Sequence, residues 1–345
     1  MTVGEAGSDP SRQRASLGHE RLREGSDPFR SGPALARWLL TVLLALAVSA
    51  ACLWLLLTPE VVASLGRLAT QADPLPVLAA FALVALVQWL RAWRFAVMLT
   101  GRLALPGAAL TRIAFQLNFW NFLLPLRLGE LSFPVLMQRR LGYGLLHSGG
   151  VLLLARLFDL ATVGAILLGA AAALDVWPGI GRILLVVGTC GLALAPLGLA
   201  VGGLALRPHL ARLPRVGDAA ARLTAGFDAI GGYGAGLTAV GLSLGVWLVF
   251  GLAAVLVAGA MVATVSPAAA MLGAAAGNVA FALPINGIAG IGPPQAAWVA
   301  ATTWVGVPWD DAVVCALALH AVVLTNAIVC GGLAMAGGAS RRAQP

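Results

Sequence analysis

Asn118-Phe-Trp-Asn-Phe-Leu-Leu-Pro-Leu-Arg-Leu-Gly-Glu130 lies between apolar stretches long enough to span a bilayer. Two asparagines, an arginine and a glutamate are costly at membrane depth, where a charge must pair or face water. The Leu124-Pro125 step and Gly129 break a helix there. Broken backbone persists inside a membrane only against protein or a water-filled cavity. The stretch therefore predicts an insertion that handles a polar or charged solute.

The surrounding chain fits that reading. Its 345 residues are 60% hydrophobic and only 10% charged, with mean hydropathy +0.91. That composition excludes a soluble domain and predicts an all-α polytopic membrane protein. The net charge of +8 comes from 22 arginines and no lysine. The arginines cluster at the ends of apolar spans, so positive-inside topology explains them without a nucleic-acid partner. Cys52, Cys190, Cys315 and Cys330 fall inside apolar spans with no C-x-x-C spacing, and the histidines are scattered. Neither a metal site nor a cofactor is expected.

Apolar segments at about 35–57, 75–99, 148–173, 182–206, 236–263 and 312–336 each approach or exceed the ~20 residues a crossing needs. Stretches 108–138 and 267–306 differ, each being interrupted by Leu-Pro, then Gly, with Asn nearby. Arg91, Arg94 and Arg102, then Arg139 and Arg140, then the arginines of connection 207–235 and Arg341–Arg342 mark one face of the membrane. The opposite connections hold only Arg67 and Arg182. Six spans alternate correctly if the two interrupted stretches are re-entrant hairpins entering from opposite faces. Leu124-Pro125 and Leu283-Pro284 are 159 positions apart, and spans 75–99 and 148–173 overlay 236–263 and 312–336 at nearly that offset. The expected organisation is a disordered cytoplasmic tail (1–33), two membrane repeats of inverted topology (34–175 and 176–338) and a short cytoplasmic C-terminal tail (339–345). Inverted repeats with broken helices near the midplane mark many transporters.

The candidate site residues follow from the interruptions. In the first hairpin Asn118 and Asn121 share a helical face, Pro125 frees backbone carbonyls, and Gly129 permits a turn or a close approach. Arg127 offers a planar fork for phosphate or carboxylate, and Glu130 balances that charge or exchanges a proton. The plainer account is an internal Arg127–Glu130 pair. Arg156 and Asp159, at i and i+3 in the third span, either neutralise each other or face an interior, with Arg156 bracing Glu130 and Asp159 meeting Arg127 or a substrate. The second hairpin offers Asn278, Pro284, Asn286, Gly287, Gly290, Gly292 and Gln295, an almost uncharged set that suggests binding by backbone or a tight glycine contact. His320 and Asn326 read as interhelical hydrogen-bonding groups, and Arg91 and Arg94 beside Trp89 and Trp93 as interface anchors.

At Leu124-Pro-Leu-Arg-Leu-Gly-Glu130, Arg139-Arg140 and Leu154-Ala-Arg-Leu-Phe-Asp159 the chain resembles the lysylphosphatidylglycerol synthase transmembrane region, or flippase-like integral membrane, family. Leu283-Pro…Gly287…Gly290-Ile-Gly292 resembles that family's second, less specific motif, and the likeness covers about 35–336. It implies a bundle with re-entrant elements that moves lipids between leaflets or binds them. Carry-over is safest for Arg127, Glu130, Arg156 and Asp159. Bifunctional members carry a cytosolic aminoacyl-transferase domain after the membrane region. This chain stops nine residues after Ala336, so lysyl-lipid synthesis is not expected of it. Where the family often has an arginine after Gly-Glu, this chain has Phe133 and Pro134; where it often has an acid after the second motif, this chain has Gln295.

The expected function is transport of a phospholipid, glycolipid or polyprenyl-linked lipid across a bacterial inner membrane, with both termini cytoplasmic. A non-transporting subunit presenting lipid to a separate glycosyl- or aminoacyl-transferase is the alternative. A membrane-embedded enzyme is a third reading, but no Ser-His-Asp set, P-loop, dinucleotide fingerprint or paired-carboxylate motif appears, and enzymatic activity is not expected. Membrane lipids are the expected partners.

Overall fold

A computed structural model describes residues 32–63, 66, 73–103, 105–210, 233–262, 264–283 and 287–339. These are helical apart from short connections, with no strand among them. The expected tails and most of connection 207–235 lie outside the described residues. The contacts divide the chain at Leu44. Of the first unit only the opening half of helix α1 (Gly32–Leu56) is described. Everything below concerns the second unit.

Helix α2 (Pro74–Thr100) starts where Asp73 accepts a hydrogen bond from the Leu75 amide, with Pro74 at the first helical position. A proline costs nothing there, because its missing N–H would have had no helical partner. It ends at Gly101, left-handed at φ 63°. Helix α3 (Ala108–Leu123) stops at Leu124, whose backbone is extended (φ −91°, ψ 133°). The ring of Pro125 excludes the helical conformation from the residue before it. A 3-10 turn over Pro125–Leu131 follows, then α4 (Ser132–Leu141) and α5 (Leu145–Ala173).

The second half repeats this sequence of events. After α6 (Ile180–Leu210) and α7 (Tyr233–Met261), α8 (Pro267–Ala282) begins with Ser266 accepting from the Ala269 amide. It ends at Leu283, again extended (φ −75°, ψ 146°) and again followed by proline. A 3-10 turn (Ile288–Gly290), α9 (Pro293–Trp304) and α10 (Trp309–Ala339) complete the chain.

The helix pairings map onto themselves when the halves are exchanged. α2 packs on α7, its counterpart; α3 packs on α10 as α8 packs on α5; α2 meets α3 as α7 meets α8; α4 meets α5 as α9 meets α10. Close approaches rest on small residues, as expected where apolar burial does not drive helices together. A Cβ on Gly331 of α10 would strike Phe119 of α3, and one on Gly273 of α8 would strike Trp298 of α9.

Pro74–Thr100, Leu145–Ala173, Gly234–Met261 and Trp309–Ala336 are long and apolar enough to cross a membrane. Shorter apolar stretches occupy Val42–Leu56, Ile180–Pro196 and Pro267–Ala282. The chain is therefore a multi-pass helical membrane protein. Two larger apolar clusters lie toward opposite ends of α2, one with Ala80 and Val84, the other with Phe95 to Leu99. The polar groups gather between them.

Candidate functional site

A cavity of about 450 Å³ opens between these clusters, within the ~300–1,000 Å³ range of small-ligand sites. Each of the four long helices supplies lining residues from near its own centre: Val87 and Gln88 of α2, Asp159 of α5, Trp247 of α7 and His320 of α10. The two interrupted segments add Asn118, Asn121 and Glu130 from one side and Asn278, Gly290 and Gln295 from the other. Candidates separated by up to 177 positions in sequence, from Asn118 to Gln295, thus share one wall-to-wall space.

Asp159 organises the charged side of the cavity. Arg94 grips it with both terminal nitrogens, at 2.6 Å to Oδ1 and 3.1 Å to Oδ2. Arg156 donates to Oδ2 at 3.1 Å and the Trp247 indole N–H to Oδ1 at 2.8 Å. Arg94 also donates to the Ser243 hydroxyl at 2.9 Å. Arg156 spans two acids, its Nε lying 3.2 Å from Glu130 Oε1. The Arg91 guanidinium sits over the Trp247 ring, 5.4 Å from its centre, and donates to the Gln88 side-chain Oε1 at 3.5 Å. Among the described residues, three arginines and two acids meet here. A buried pair of this kind holds only if both charges keep partners; removing one costs ~3–5 kcal/mol.

Arg94 corrects the sequence reading. It is 1% exposed and is not an interface anchor. It takes the partnership with Asp159 that the sequence assigned to Arg127 or a substrate. Arg91 likewise lines the cavity. The i, i+3 spacing of Arg91 and Arg94 places both on one face of α2, a signal that could have marked them as facing inward. Arg156 does brace Glu130 and also neutralises Asp159, so both sequence accounts of that residue hold together. The Arg127 side chain, and Pro284 and Asn286 entirely, lie outside what is described. Pro125 is placed by backbone alone, opening the first turn.

The neutral groups behave differently from the charged ones. Asn118 and Asn121 are 7% and 8% exposed, yet Asn118 Nδ2 and Asn121 Oδ1 have no hydrogen-bond partner. The same holds for His320 Nε2 and Trp298 Nε1. His320 is not the interhelical link expected of it, whereas Asn326 is, donating to the Phe81 carbonyl of α2 at 3.1 Å. Asn278 donates to the Ala274 carbonyl of its own helix.

The turns are held by backbone proximity. A Cβ on Gly129 would lie 2.3 Å from the Trp120 carbonyl carbon, so the first turn presses on α3 at the backbone level. Ser49 of α1 accepts from the Ile288 amide at 3.0 Å and donates to the Ile291 carbonyl at 3.4 Å. A Cβ on Gly287 would overlap the Ser49 hydroxyl. Gly290 and Gly292 have positive φ, 71° and 124°. Gln295 accepts from the Gly292 amide at 2.7 Å and donates to the Gly290 carbonyl at 3.5 Å. It holds the turn with both ends of its amide, which a carboxylate could not do. Phe133 is fully buried and packs on Phe95, the tilted rings 4.4 Å apart, leaving no place for a charge there. Among the described residues no cluster of His, Cys, Asp or Glu has the arrangement of a metal site.

Fold and site together define a polytopic membrane protein with a polar cavity enclosed by broken helices. A family model described as the lysylphosphatidylglycerol synthase TM region matches residues 42–331. The chain belongs to that family, whose membership makes it a membrane protein of lipid metabolism or transport. No curated protein and no solved structure matches it.

Proposed function

We propose that the chain binds a lipid by its anionic headgroup in the central cavity and passes it between leaflets. The observation that carries this reading is the pair of guanidinium groups, Arg91 and Arg156, that line the cavity beside Glu130 and Asp159, with Arg94 bound behind Asp159, at the middle of four long apolar helices. A guanidinium in a low-dielectric enclosure attracts phosphate far more strongly than it would in water. Arg156 is the contact residue, because its side chain keeps 22% of its surface exposed while Arg94 is spent on Asp159.

In this reading α1 and α6 also cross, giving six spans, and α3–α4 and α8–α9 are re-entrant hairpins from opposite faces. The exchange symmetry of the helix pairings and the matched Leu-Pro breaks support an inverted repeat, which lets one half rock against the other. The membrane is a bacterial inner membrane, both termini are cytoplasmic, and no bond is made or broken in the lipid.

Reconstitution into vesicles with a fluorescent phosphatidylglycerol tests the proposal. Wild-type protein is expected to make the outer and inner pools exchange, and Arg156→Gln to slow exchange at least tenfold. Equal rates in the two proteins would overturn the site assignment. Binding without exchange would favour a subunit that presents lipid to a separate transferase.

A further inference from the structure

The cavity has a second pole that the charged network does not use. Asn118 and Asn121 on one face of α3, Trp298 on α9 and His320 on α10 each bring a buried polar atom without a partner to the same space. An unsatisfied buried donor or acceptor costs ~1–3 kcal/mol, and native folds leave few of them. At the charged pole Asp159 is held by Arg94, Arg156 and Trp247, while Arg94 Nε and Arg156 Nε also lack a hydrogen-bond partner. Unmet demand therefore exists at both poles, of donors at the charged one and of donors and acceptors together at the neutral one.

The kind of demand identifies what meets it. Asn118 Nδ2 and Trp298 Nε1 donate, Asn121 Oδ1 accepts, and an imidazole nitrogen does either according to its tautomer. A phosphate only accepts and an ammonium only donates, so neither matches a mixed set. A hydroxyl does both. The adjoining wall is aromatic: Phe122 and Phe281 stack at 5.4 Å, and Phe122 lies 6.1 Å from the His320 ring. Flat apolar faces beside amides suit the C–H surface and hydroxyl rim of a sugar or cyclitol.

From this we infer that the ligand carries phosphate and polyol together, the phosphate at the Arg91–Arg156 pole and the hydroxyls on Asn118, Asn121, Trp298 and His320. The inference rests on the lipid-binding reading above and specifies its substrate class as a phosphate-linked glycolipid or phosphoinositide-like lipid.

The test is equilibrium binding to the purified full chain in detergent, with dioleoyl phosphatidylinositol, dioleoyl phosphatidic acid and a phosphate-free diacyl galactolipid as probes. Phosphatidylinositol is expected to bind about tenfold tighter than phosphatidic acid, and the galactolipid weakest. Asn121→Leu with His320→Phe should bring the first two affinities together while leaving that of phosphatidic acid unchanged. Trp298→Phe, which removes one N–H and keeps the packing, should narrow the gap by itself and guards against a misfolded double variant. Equal binding of the two phospholipids by wild-type protein, which is what a pole filled by water alone gives, or a gap that survives both variants, would overturn the polyol pole. Galactolipid binding as tight as phosphatidylinositol would overturn the division into two poles. If no phospholipid binds, the lipid-binding reading fails and this inference with it, an outcome distinct from the others.

Discussion

Asp159 carries the heaviest burden of any side chain in the cavity, accepting from Arg94, Arg156 and Trp247 at once. Asp159→Asn leaves Arg94 buried beside a neutral amide. It should cost ~3–5 kcal/mol, read as a drop in the thermal denaturation midpoint of the detergent-solubilised protein. Arg156→Gln should cost much less, since its side chain is 22% exposed and can be solvated. The same assay separates the two, and a larger loss for Arg156→Gln would contradict the assignment of Asp159 as the organiser. The Arg156–Asp159 pair was legible from sequence because three residues along a helix is a fixed distance. The Arg94–Asp159 pair was not, because 65 positions separate them and only the packing of α2 against α5 brings them together. Arg94 falls near the end of its span, where an arginine ordinarily reaches for the membrane surface.

At the scale of elements, both breaks were legible at the residue. Proline fixes the conformation of the leucine before it, and Leu124 and Leu283 are extended as that rule requires. The sequence allowed Gly129 a turn or a close approach and the later glycines a tight contact, but it could not say which partner each one meets. Gly129 is a point of backbone contact with α3, and Gly287 makes room for Ser49. Gly129→Ala should push the first turn off α3 and slow lipid exchange severalfold, with loss of helix-packing stability of ~1–3 kcal/mol. Gly107→Ala, where an added Cβ meets nothing, should change neither. If both substitutions behave alike in vesicle exchange and thermal denaturation, the turn does not depend on that contact. The assignment of Gln295 illustrates the same limit. Its type suggested a ligand group, but its geometry shows a brace for Gly290 and Gly292.

For the molecule as a whole, the all-helical class, the membrane setting and the positions of most helices followed from composition and apolar run length. The meeting of Asn118, Asn278 and His320 in one space did not, because it depends on how helices from both halves pack. The inverted arrangement proposed above makes its own prediction. In a protein whose natural cysteines are replaced, single cysteines introduced at Leu131 and Ala289 should react with an impermeant maleimide from opposite sides of sealed vesicles. Reaction of both from the same side would refute opposed hairpins and with them the rocking of one half on the other.

The Ser49 hydroxyl bridges two backbone groups 239 and 242 positions downstream, and this bears on biogenesis. A ribosome completes α1 long before the turn it will clasp exists. Until residues 287–292 emerge, that clasp stands open, and the turn they form acquires its final shape only against a helix made at the outset. Maturation is thereby tied to near-completion of translation: a nascent chain arrested before residue 287 would hold its first helix in place with nothing to fasten.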